Sequence, residues 1–323
     1  MKKQLLFSLL IIGSFQAQAS SDWQAFSVPT LWQQLKVSPS ILLGDANGDF
    51  NWNIASDPSG LITPNVLSEL SYDDLNIAKW QFETLSELPL SPTHSLISEF
   101  SIATGVIDEG VVRDSDYDQN NKGGEYSRSY SNPQGSKLLD YSFAAGFSQQ
   151  LSHQWTIKGL LGYSFHEQSF NKKEGEQVLS ADFRTPNVGK FGGLNSSYEA
   201  NWEGPWLGAQ LGWQDRHQGF NFRFEHHMTE YYAEADWNLR SDFAHPKSFD
   251  HVATGQGTIA RFEYQRHLNR SLGFMVRYQH ERWEAKNGID TVYFANQTTA
   301  TTRLNHSKWN QSALSVGFKY LTW

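Results

Sequence analysis

The chain has 323 residues, no cysteine and a formal charge of −8, so disulfides do not staple it and its acidic balance argues against a nucleic-acid partner. With 12 Trp, 13 Tyr and 21 Phe beside a mean hydropathy of −0.54, the composition fits a wall that is apolar on one face only.

Residues 1–19 read as an export signal. Lys2 and Lys3 precede an apolar stretch that ends in the small-residue pattern Ala17-Gln18-Ala19, and the stretch is too short for a membrane-spanning helix. Removing it takes the formal charge to about −10. Residues 20–40 carry two Trp and two Pro without strand periodicity, which predicts an N-terminal segment in the periplasm or at the barrel mouth.

From residue 41 to 323 the pattern predicts an all-β, antiparallel transmembrane β-barrel of ten strands. Weak alternation marks 41–55, 65–85 and 95–112. Residues 138–150 then set Leu139, Tyr141, Phe143 and Phe147 against Asp140, Ser142, Gly146 and Ser148. The same period runs through 155–168, 207–213, 219–229, 260–264, 271–284 and 314–320. In 219–229, for example, Phe220, Phe222 and Phe224 face lipid while Asn221, Arg223 and Glu225 face the lumen. Short connections at 151–154, 216–219 and 268–271 alternate with long polar stretches at 113–135, 171–195, 236–255 and 287–307. That rhythm predicts tight turns and both termini in the periplasm and loops outside the cell. At the C-terminus Phe318 and Tyr320 alternate out of phase with Trp323.

Asp114 and Asp116 stand two apart, so an extended strand turns both carboxylates to one face; a close pair raises one pKa and can hold a water for general-base attack. The run Asp114, Asp116, Asp118, Asn120 and Glu125 also mimics the oxygen spacing of a calcium loop, with Gln119 where such a loop wants Gly. A second constellation is Asp242-Phe243-Ala244-His245, followed by Asp250-His251; an Asp that orients a His makes a general base near neutral pH. His226 and His227 fall on opposite faces. No zinc spacing or phosphate-cradling glycine run is present, so no cofactor is expected.

The chain resembles the omptin family, ten-stranded outer-membrane barrels that include surface endopeptidases. The likeness rests on strand order, loop lengths, Leu67-Ser68-Glu69-Leu70-Ser71-Tyr72, and Val112-Arg113-Asp114-Ser115-Asp116-Tyr117. It implies that Asp114 and Asp116 match the family's Asp-x-Asp, and that a lipopolysaccharide requirement accompanies any activity. A mouth that carries Asp108, Glu109, Asp114, Asp116 and Asp118 would by its field favour a cationic peptide substrate. The resemblance further implies delivery to the barrel-assembly machinery through the aromatic C-terminal strand. Asp242-x-x-His245, or else the adjacent Asp250-His251, stands where the family has Asp-x-His, and Ser127-Arg128-Ser129-Tyr130 where it has Arg-His-Pro. The run Arg113-Asp114-Ser115-Asp116-Tyr117 with Gly124-Glu125-Tyr126-Ser127-Arg128-Ser129 looks instead like an omptin-like group first described in chlamydia-like bacteria, without an established peptidase activity. Two readings follow: a non-catalytic surface barrel, or an endopeptidase using Asp114, Asp116, Asp242 and His245. A pore is disfavoured, because Arg223, Glu225, Arg261, Glu263, Arg277 and Glu281 would fill a ten-strand lumen.

Overall fold

A computed structural model describes residues 33–181 and 185–322; the predicted signal and Trp323 lie outside the described residues. Leu35–Trp323 form one unit, a closed antiparallel sheet. Its strands are β1 (Lys36–Ile54), β2 (Ser68–Pro89), β3 (His94–Gln119), β4 (Gly123–Asn132), β5 (Lys137–Gln150), β6 (Trp155–Ser180), the short β7 (Gly189–Lys190), β8 (Asn195–Gln214), β9 (Gln218–Asp236), β10 (Phe249–His267), β11 (Leu272–Tyr293) and β12 (Thr299–Tyr320). β12 pairs with β1 and closes the ring. β4 and β5 both sit between β3 and β6, at different heights, so together they make one wall position. β7 only flanks β6. The ring therefore has the ten positions that the alternation predicts.

The strand phase also agrees. Phe222 is 54% exposed on the outer wall, whereas Arg223 is 7% exposed inside. Register turns such residues into a continuous apolar belt: Val316 is opposite both Leu43 and Val276, and Phe222 opposite both Leu211 and Phe262. Lipid takes this belt, and an apolar outer face is what makes insertion favourable.

Three expectations are corrected. β1 begins at Lys36, so residues 36–40 belong to the barrel. Most of the polar stretches at 113–135 and 287–307, and part of those at 171–195 and 236–255, is strand: β3 runs to Gln119 and a three-residue turn leads into β4, and β11 and β12 are separated by five residues. A strand of 26 residues such as β3 is far longer than the ~10 needed to cross a bilayer, so the wall continues well past the belt. Once water replaces lipid outside, polar residues such as Asn201 and Glu203 of β8 occupy the outer face, and alternation in hydropathy fades while the ladder persists.

The third correction concerns the lumen. The predicted charges line a cavity of about 1650 Å³ open at the tight-turn end rather than filling it. Arg277 pairs with Glu83 and Glu263, each at 2.6 Å, and Arg223 with Glu225 at 2.6 Å and with Glu99. What closes the barrel is an aromatic layer above them. Tyr72 stacks on Phe170 with centroids 4.2 Å apart, Trp202 lies 4.4 Å from Tyr231, and Trp283 lies 4.4 Å from His166 and 4.8 Å from His227. Trp202, Trp206, Trp283 and Trp309 are all buried. Glycine makes the space: a Cβ on Gly162 would come within 2.3 Å of Trp206, and one on Gly257 within 2.3 Å of Trp283.

Candidate functional site

At the end of the barrel away from the tight turns, β3 carries Asp114 and Asp116 beyond the apolar belt, on the same side as buried Val112. The Lys172 ammonium, on β6, donates to Asp114 Oδ2 and lies 4.4 Å from the Trp237 ring centroid. One buried lysine thus ties the β3–β6 wall to the connection between β9 and β10. Asp116 accepts from Ser68, and its carboxyl is pushed up to about 6, first by burial and then by the charge of Asp114, against the pull of Lys172 and Arg240.

The opposite wall is built differently from the sequence expectation. Asp242 does not orient His245. It accepts two hydrogen bonds from Arg240, at 2.9 and 2.8 Å, and that guanidinium also lies over the Phe243 ring and in the field of Asp114 and Asp116. His245 instead pairs through Nδ1 with Asp236 Oδ1 at 2.6 Å. A nine-residue separation hid this couple. Its available signal was that Asp236 ends the alternation of β9, at the mouth, where the chain turns back.

Asp250 and His251 do not form a couple. Asp250 holds Lys247 and accepts from Tyr293 at 2.8 Å, whereas fully buried His251 meets the Tyr198 hydroxyl at 2.9 Å and Asp290 at 3.1 Å. His226 and His227 do face opposite sides, one exposed and one buried.

The calcium-loop reading is also corrected. Asp118 is exposed, Asn120 Oδ1 accepts from the Asn65 backbone, and Glu125 pairs with Arg128. Among the described residues no group of three or more His, Cys, Asp or Glu side chains is arranged to hold a metal.

Asp116 gives a pH dependence with a defined sign. Its folded carboxyl keeps a proton up to about pH 6, whereas the ordinary value is 3.8, so ionisation costs the fold. That stability is full below the ordinary value and is lost as pH rises through 6. Asp116→Asn, which keeps an acceptor for Ser68, should stabilise the refolded barrel by about 1–2 kcal/mol at pH 8, after discounting for partial exposure, and by little at pH 4. Urea titrations at the two pH values check this; a variant less stable at pH 8 than at pH 4, relative to the parent, would contradict the assignment.

A closed ten-position barrel with an apolar belt, an aromatic-filled upper lumen and an aspartate pair at its mouth defines an integral outer-membrane barrel of omptin-like architecture. Residues 43–321 match the family model of Protochlamydia outer membrane protein, and the chain belongs to that family. None of the curated proteins matches the sequence. Among solved structures, the outer-membrane protease OmpT of Escherichia coli superposes with a TM-score of 0.67 at 15% identity, over 88% of this chain and 96% of that one. The translocator domain of the autotransporter NalP from Neisseria meningitidis gives a TM-score of 0.37 at 10% identity, over 88% of each chain. The likeness to OmpT is one of fold, and the family places the chain in the outer membrane.

Proposed function

We propose that this protein is a non-conducting surface barrel that binds a polypeptide ligand at its mouth without hydrolysing it, with the mouth and its long hairpins outside the cell and the tight turns in the periplasm. One observation carries the reading: the Lys172 ammonium occupies the Asp114 carboxylate while packing on Trp237. A carboxylate committed to an ammonium is a poor site for a nucleophilic water, since general-base attack needs a free acceptor within hydrogen-bond reach. Arg240 on Asp242 and Lys247 on Asp250 neutralise the same rim, which weakens the field that would select cationic peptides. Lipopolysaccharide is the proposed lipid partner of the outer half of the belt.

The Asp236–His245 couple favours a second reading, an endopeptidase in which His245 accepts the proton of a water held by Asp114 and Asp116. The two are separated with refolded barrel in lipopolysaccharide-containing micelles and a quenched peptide library that includes paired Arg and Lys. The binding reading expects retention without turnover. Turnover that is lost in both Asp116→Asn and His245→Ala would establish the peptidase instead. On intact cells an epitope inserted at Lys122 should be stained without permeabilisation; staining only afterwards would invert the orientation.

A further inference from the structure

The cavity at the tight-turn end is separated from the mouth by the aromatic layer, so nothing said of the mouth accounts for it. Much of its charge is paired: Arg277 with Glu83 and Glu263, Arg223 with Glu99 and Glu225, and Lys79 with Asp140 at 3.0 Å. Other lining charges are not paired among the described residues, Lys36, Glu87 and Arg216 included, and two lysines stand out. Lys158 of β6 and Lys319 of β12 have no ion-pair partner among the described residues, and each lies in the other's neighbourhood closely enough for the two charges to oppose one another. Of the carboxylates near them, Glu99 and Glu263 are already committed to arginines at hydrogen-bond distance, whereas Glu87, which lines the cavity near Lys158, has no ion pair among the described residues.

A brace for the lumen would pair every cation, because an inward charge left alone costs desolvation with no compensating contact. Two ammonium groups that line one water-accessible space from strands on opposite sides of the ring, between low-dielectric walls that focus their field, make a receptor for negative charge. Lys36 and Arg216 line the same cavity and add positive charge on the way in. At about 1650 Å³ the space exceeds a typical small-molecule pocket, so a hydrated ligand fits.

We propose that this cavity is an oxyanion-binding site: it takes a small ligand with two or more negative groups, phosphate or carboxylate, held between Lys158 and Lys319. The cavity opens among the tight turns, so the ligand enters from that side of the membrane.

Trp206 and Trp213 line the cavity and supply a readout. The refolded barrel, in zwitterionic detergent, is titrated with pyrophosphate and separately with citrate while tryptophan fluorescence is followed. A saturable change with a dissociation constant of about 1 mM or tighter is expected for at least one probe, and which probe saturates tells phosphate from carboxylate chemistry. Lys158→Gln combined with Lys319→Gln should weaken binding at least about 10-fold. Lys308→Gln, at a partly exposed lysine paired with Glu284, should leave it unchanged. Heat-resistant electrophoretic mobility confirms that each variant is folded; should the double variant fail to fold, each single substitution is expected to weaken binding on its own. No saturable response with either probe, or equal affinity in the folded Lys158 and Lys319 variants, overturns the proposal.

Discussion

Phe222→Arg should abolish assembly of this barrel, whereas Arg223→Phe, one residue away, should leave a folded though weakened molecule. Phe222 stands on the outer wall between Leu211 and Phe262, in the middle of the belt, where a lipid-facing arginine costs about 2–4 kcal/mol. Its neighbour points inward to Glu99 and Glu225, so Arg223→Phe strands two carboxylates, but beside a cavity that water can enter. Heat-modifiable mobility of both variants after refolding into lipid vesicles measures the contrast. Equal yields of folded protein would refute the strand phase.

The second large effect is expected at Arg277. Its side chain is 4% exposed, and it donates to Glu83 at 2.9 and 2.6 Å and to Glu263 at 3.0 and 2.6 Å. Arg277→Met removes the charge that makes two inward carboxylates tolerable. Breaking a buried network in this way costs about 3–5 kcal/mol; the water-filled cavity and the partial exposure of Glu83 reduce the expectation to about 2–3 kcal/mol. Adding Glu83→Gln and Glu263→Gln should recover most of the loss, because uncharged amides do not repel. Urea midpoints in micelles report both steps. If Arg277→Met left the midpoint unmoved, the network would be ornamental to stability.

How much of this was legible in the sequence depended on which solvent each wall faces. Inside the belt, lipid on one side and a wet lumen on the other force a period of two, and Phe220, Phe222 and Phe224 against Asn221, Arg223 and Glu225 set the phase of β9 correctly. Above the belt both conditions fail. The outer face meets water and turns polar, as at Glu203, while the inner face is dry and aromatic, as at Trp202 and Phe170. Hydropathy there no longer separates strand from loop, so the upper hairpins carry no strand signal. The aromatic layer is hidden for the same reason, since hydropathy alone cannot tell an aromatic that faces lipid from one that fills a dry lumen.

The site was legible only where it is local. Asp114 and Asp116 share a face because they are two apart on one strand. The partner of His245 follows from how β9, its connection and β10 bring Asp236 back to it, and Asp242 is captured by Arg240, two residues before it. Lys172, from a different strand, becomes the partner of Asp114 only once β3, β4 and β6 are placed side by side.

Planar-bilayer recording reads out whether the aromatic layer closes this barrel between its wet lower cavity and the mouth. Purified barrel reconstituted into a neutral bilayer should give no stepwise current at moderate voltage, and Trp283→Ala combined with Trp202→Ala, which empties the layer between β8 and β11, should give discrete openings. Steady single-channel steps from the unaltered protein would contradict the closed lumen.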